Sequence, residues 1–157
     1  MKIKGKKIEG RNIEVVVIPR PEEDIPFFCE AIPDYDEFNE LCPPPKPPER
    51  LYPGGVRKED TENPEYKEQL EAWATLRTHY TVLKSLENSK DLEWEKVDME
   101  KPSTWDKYQE ELKESGFTEI EMFRLLQGVM RANSLDDEML KEAKKSFLQG
   151  QSLKNAK

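Results

Sequence analysis

Apolar and polar residues alternate at the start of the chain, and from residue 63 onward apolar residues recur every three or four positions. The first pattern has the period of a half-buried strand and the second that of an amphipathic helix. Residues 2–8 and 12–18 read as two strands joined by a turn at Glu9–Gly10. The segment Ile25–Ile32 reads as a third, set off by Pro19, Pro21 and Pro26, which interrupt strand pairing. A small antiparallel sheet of about three strands follows, and so few strands need something else to pack on.

Tyr35–Cys42 has the spacing of a short helix, with Phe38 and Leu41 three apart. Residues 42–55 then read CPPPKPPERLYPGG, and the prolines force an extended, polyproline-like path that Gly54–Gly55 end. Residues 56–63 are polar and read as a loop. The stretch is expected to be a solvated spacer or an arm that lies on a partner.

Asn63 suits a helix N-cap and Pro64 the first helical position, where a missing N–H costs nothing. Tyr66, Leu70, Trp73, Leu76, Tyr80, Leu83 and Leu86 form one stripe on a predicted helix that Asn88–Ser89 end. Trp94 and Val97 fall in a short extended piece. A second helix is expected from Pro102–Ser103, with Ser103 as cap, Trp105, Tyr108 and Leu112 as its apolar face, and Gly116 closing it. Thr118 and Glu121 have capping-box spacing and open a third, and Ser134 opens a fourth that runs to Gly150. The expected fold is therefore α+β. A β-rich part (1–42) leads through a Pro-rich linker or arm (43–62) to a bundle of about four helices (63–150), and residues 151–157 form a polar tail.

Charge changes this picture by region. The 157 residues carry 25 basic and 33 acidic groups, a formal net charge of -8. Residues 1–20 hold six of the basic groups and two of the acidic ones, so the start is basic and the remainder strongly acidic. The overall field opposes binding to a phosphate backbone, and no nucleic-acid partner is expected. The lysines at the start are read as protection of an edge strand. No apolar stretch approaches the length of a membrane span. Met1–Gly10 is not followed by a signal-peptide core, and Cys29 and Cys42 lack CxxC spacing. The expected location is therefore the cytoplasm, with both thiols reduced.

Candidate chemistry is sparse. One histidine, His79, and two cysteines give no metal-ligand spacing, so no metal is expected. The seven glycines form neither GxGxxG nor a P-loop, and GxSxG is absent. Carboxylates are too abundant to single out an acid–base pair. No catalytic residue and no cofactor is expected, and the chain is read as a non-enzyme. Aromatic residues are dense for so polar a chain, and tryptophan and tyrosine dominate binding hot spots. The partner-binding candidates are Tyr66, Trp73, Tyr80 and Trp94, with Pro44, Pro45, Pro47 and Pro48 of the arm.

The order of parts resembles a known family. A lysine-rich β start (MKIKGKKIEG, IEVVVIPR) precedes the Pro-rich LCPPPKPPERLYPGGV, followed by NPEYKEQLEAW, LEWEKVD, PSTW, SGFTEIE, ANSLDDEMLKEA and FLQGQ. This is similar to tail assembly chaperone-type proteins of tailed bacteriophages, over most of residues 1–150. The resemblance implies a chaperone in the cytoplasm of an infected bacterium that holds a tape-measure protein, recruits tail-tube subunits, and often has a frameshifted longer form. The partners it implies are proteins, with self-association into a homo-oligomer left open. The alternatives are a structural tail or head accessory protein of the virion, or an acidic inhibitor of a host DNA-binding or defence protein.

Overall fold

The computed structural model describes residues 1–134 together with Lys141, Lys144, Lys145 and Leu148. It is an α+β fold of small antiparallel sheets and helices. The expected fourth helix, 134–150, and the tail 151–157 lie almost wholly outside the described residues.

Each described sheet is a two-stranded antiparallel ribbon, which differs from the expected three-stranded sheet. Strand β1 (Lys2–Ile3) pairs with β2 (Lys6–Lys7). Their turn is Lys4–Gly5, not Glu9–Gly10, and both turn residues have positive φ, as a two-residue hairpin requires. The local Lys-Gly turn competes successfully with the longer pairing that hydrophobic alternation suggests. Strand β3 (Ile13–Ile18) pairs with β4 (Ile25–Glu30). One face of this ribbon carries Val16 opposite Phe27 and Glu14 opposite Cys29. The other carries Val15 opposite Phe28 and Val17 opposite Pro26. Only the first face is buried.

Helix α1 (Asp36–Leu41) forms where its spacing predicts, but only Phe38 turns inward. Leu41 is 43% exposed, and Cys42 is buried in its place. Residues 43–48 are neither helix nor strand. Beyond them, the stretch read as extended arm and loop contains a hairpin, β5 (Glu49–Tyr52) with β6 (Val56–Glu59). The Asp60 N–H donates to the Pro48 carbonyl at 2.7 Å and closes its base. Its two glycines make the turn that ends one strand and starts the next.

Helix α2 (Pro64–Leu86) starts as expected: the Asn63 side chain accepts from the Tyr66 N–H at 3.0 Å, with Pro64 behind it. Burial, however, is graded along its axis. The first half is largely exposed, with Tyr66 and Trp73 half-buried, while His79–Leu83, Ser85 and Leu86 are buried. A single stripe therefore understates this helix. A 3-10 turn at Pro102–Thr104 precedes α3 (Lys107–Glu114). Ser103 does not cap it. The Thr104 hydroxyl makes the local bonds instead, accepting from the Asp98 N–H at 2.9 Å. Gly116, at φ +84°, closes α3 with Phe117 N–H to Leu112 C=O at 3.0 Å, a Schellman ending. Helix α4 (Glu119–Ala132) has both bonds of the capping box between Thr118 and Glu121.

One buried cluster joins the β and helical parts, from Val16 and Ile18 through Phe38, Tyr80 and Trp105 to Ala132. α4 lies along the β3–β4 ribbon, antiparallel to β3. Arg20 pairs with Glu121 at 2.9 Å, Gly128 meets Val16, and Asn12 donates to the Ala132 carbonyl at 3.1 Å. At Gly128 the helix backbone lies so near the ribbon that an added Cβ would collide with Val16 Cγ2 and sit 3.3 Å from Cys29 Sγ. Cys29 is fully buried and burial pushes its thiol pKa up to about 12.

Two outcomes follow from this packing. Glycine inside a helix ordinarily costs about 1 kcal/mol relative to alanine. Gly128→Ala should instead destabilise the fold by about 1–3 kcal/mol through overpacking against Val16, read as a lower denaturant midpoint. The second concerns His79, which is only 6% exposed and stacks edge-on against Tyr108 at 5.6 Å. Burial lowers its pKa below the ordinary 6.5, opposed by the charge of Asp106. The unfolded chain therefore takes up this proton first. Stability should fall as pH drops below about 6.5, with a limiting slope of about 1.4 kcal/mol per pH unit. His79→Phe should flatten the melting-temperature profile between pH 7 and 5.5, since no other side chain in this sequence has an ordinary pKa there.

Candidate protein-binding groove

A half-open apolar groove of about 200 Å³ lies where β4, the segment 92–94 and the end of α3 meet. Ile25, Phe27, Leu92, Trp94, Leu112 and Phe117 form its walls, and Glu93, Glu111 and Ser115 stand on its polar rim. Each wall residue arrives for a local reason. Strand alternation points Phe27 to the buried face. Leu112 lies on the inner stripe of α3. The Schellman turn at Gly116 throws Phe117 back over that helix end, edge-on to Phe27 at 5.7 Å.

Trp94 sits on a segment without helix or strand and depends on side chains for its position. The Glu111 carboxylate accepts from the N–H groups of Glu95 at 2.6 Å and Lys96 at 3.1 Å. Lys96 in turn reaches Glu114 at 2.7 Å and Glu110 at 3.1 Å. These carboxylates raise the Lys96 pKa. The Trp94 ring rests edge-on to Tyr108 at 6.2 Å and stays half-buried. Outside the lining, the Arg20 guanidinium lies 4.7 Å from the Phe117 ring while it pairs with Glu121. Glu121 is held below the usual carboxylate range, chiefly by that Arg20 hydrogen bond.

The other candidates lie elsewhere. Tyr80 is a correction: at 2% exposure it is core, ringed by Phe38 and Trp105 at 5.5 Å. A tyrosine on a helix stripe is covered when side chains from other segments pack over it, and here Phe38 of α1 and Trp105, just past the 3-10 turn, both do. Trp73 is half-buried against Phe38 at 5.5 Å, and its indole N–H donates to the Cys42 carbonyl at 2.9 Å. It anchors the start of the Pro-rich segment. Tyr66 is half-buried on the outer half of α2. Pro44 and Pro48 are exposed, and Pro45 and Pro47 half-buried. Of these candidates only Trp94 lines the groove.

No group of three or more His, Cys, Asp or Glu residues suited to a metal occurs among the described residues. No described helix is long and apolar enough to cross a membrane. In comparisons with known proteins, no family model, curated protein or solved structure matches this chain.

Glu111 is the clasp of the groove. Glu111→Ala removes two charge-assisted bonds, each contributing about 1 kcal/mol or more. Hydrogen exchange at the Glu95 and Lys96 amides should accelerate by about tenfold or more, with the α4 amides unchanged.

Proposed function

We propose that this chain is a non-enzymatic holding protein, of the tail assembly chaperone type it resembles, acting in the cytoplasm of a phage-infected bacterium. The observation that carries the reading is the groove: a contiguous apolar surface with aromatic walls, framed by carboxylates, on a chain that is otherwise heavily charged. Such a surface takes bulky apolar side chains from a client helix or loop, and the acidic surroundings keep the complex dissolved. In this reading the clients are the tape-measure protein and tail-tube subunits, held before they polymerise. The Pro-rich residues 43–48 add a segment that already lacks helix or strand and so loses little conformational freedom on contact.

Co-expression with a tape-measure protein should raise that protein's soluble fraction several-fold. Trp94→Asp should remove the effect while leaving the chain folded, because Trp94 lies outside the buried centre. Unchanged client solubility together with failed co-purification would end this reading. Mass spectrometry of purified particles separates it from a virion component, since a chaperone is absent from the finished particle and an accessory protein is present in fixed copy number.

A further inference from the structure

The β3–β4 ribbon has a second surface, unrelated to the groove. On the outer side of β4, the Ser89 hydroxyl bonds both the N–H and the C=O of Phe28, at 3.0 and 3.2 Å. Both Phe28 backbone groups therefore point away from β3. In an antiparallel pair, the residue directly opposite must then point its own groups away as well. That residue is Val15. The alternation extends this to Ile13 and Val17, and Arg124 confirms it by donating to the Val17 carbonyl from outside at 3.3 Å. β3 thus presents a row of outward N–H and C=O groups. Among the described residues, the N–H groups of Ile13, Val15 and Val17 have no partner.

Soluble proteins usually blunt such an edge with lysine, proline or a bulge. The lysines at the start of the chain are the expected protection. They lie instead on the separate β1–β2 hairpin, and Ile13–Ile18 carries only Glu14. The side chains beside this edge are apolar and open, with Ile13 and Val15 each 52% exposed and Val17 42%. Beside the edge lies a polar groove of about 150 Å³, lined by Glu14 of β3 and by Arg124, Gln127 and Arg131 of α4, so two cationic side chains face one carboxylate. Arg131 makes no ion pair among the described residues.

We propose that the β3 edge is a strand-addition site for an extended segment of another protein in which acidic and apolar residues alternate. Its backbone would pair with Ile13, Val15 and Val17. Because side chains of a strand point to opposite faces, its carboxylates would turn down toward Arg124 and Arg131 while its apolar residues extend the open face of the ribbon. Charge selects this occupant. A second copy of this chain would bring four arginines to one seam against two Glu14 side chains. The chain's own residues 135–157 carry five lysines and four acidic residues, and acidic and apolar residues do not alternate there, so they do not supply such a segment.

The probe is a labelled synthetic peptide of about eight residues alternating glutamate with valine, titrated by fluorescence anisotropy and by amide NMR of the full chain. Saturable binding is expected, with shifts at Ile13, Val15 and Val17, and weakening of about tenfold or more when lysine replaces glutamate or when Arg131→Glu is introduced. N-methylation along one edge of the peptide should abolish binding, and along the other edge leave it intact. Trp94→Asp should not change it, which separates this site from the groove. Equal binding of the lysine peptide, indifference to N-methylation on both edges, shifts confined to the Trp94 groove, no saturable binding, or a peptide-free dimer that protects the three amides would each overturn the proposal.

Discussion

The contact between Gly128 of α4 and Val16 of β3 is the constraint on which the rest of the structure depends. A two-stranded ribbon has too little apolar surface to persist alone in water. This one persists because a helix lies directly against it, and the helix comes so close only because residue 128 has no side chain. The same approach buries Cys29 and sets the line along which Arg20 meets Glu121 and Asn12 meets Ala132. Asn133 extends the clamp at the far end. Its side chain accepts from the Ile32 N–H at 2.9 Å and donates to the Ser85 hydroxyl at 2.7 Å, so one residue joins the segment after β4, α2 and the end of α4.

A second set of contacts organises the other side of the core. Phe38 is fully buried among the rings of Tyr35, Trp73, Tyr80 and Trp105, at centroid distances of 5.5 to 6.2 Å. A six-residue helix has no stability of its own, and α1 holds its shape because Phe38 is locked in this cage. Arg77 lies over the Tyr35 ring at 4.0 Å and covers the cage from outside. The core is therefore aromatic where the helices meet and aliphatic where the ribbon meets α4. Within the aromatic half, the Trp105 indole N–H and His79 Nδ1 are buried with no hydrogen-bond partner among the described residues. Each costs stability relative to a paired group, so this half of the core is packed for shape at the expense of polar satisfaction.

The two surfaces singled out differ in how far the sequence revealed them. Trp94 is conspicuous as one of three tryptophans in a polar chain. Its companions are not, because Ile25 and Phe27 read as strand core and Leu112 and Phe117 as helix core. A groove at the meeting point of three elements has no period of its own along the chain. The β3 edge was masked differently. Alternation marked residues 12–18 as a strand, but nothing local says which strand lies beside it. Lysines close in sequence read as protection of that edge, but the Lys4–Gly5 turn draws them into a separate hairpin.

The helix boundaries were written locally. The Asn63–Pro64 start, the Thr118–Glu121 capping box and the Gly116 ending each rest on bonds between residues at most five apart, so neighbouring chemistry determines them. The strand character of 13–18 and 25–30 and the acidic, aromatic-rich composition were equally plain from the sequence. What only the tertiary structure decided was pairing and burial. Whether the early strands form one sheet or separate ribbons, whether α2 is buried along a stripe or at one end, and whether Tyr80 faces solvent or core all depend on contacts between residues distant in sequence. The reason is physical. Hydrogen bonds within a turn or cap are set by a few adjacent dihedral angles. The burial of a side chain is set by whichever element crosses it, and in this chain that crossing is governed by how closely α4 can approach the β3–β4 ribbon.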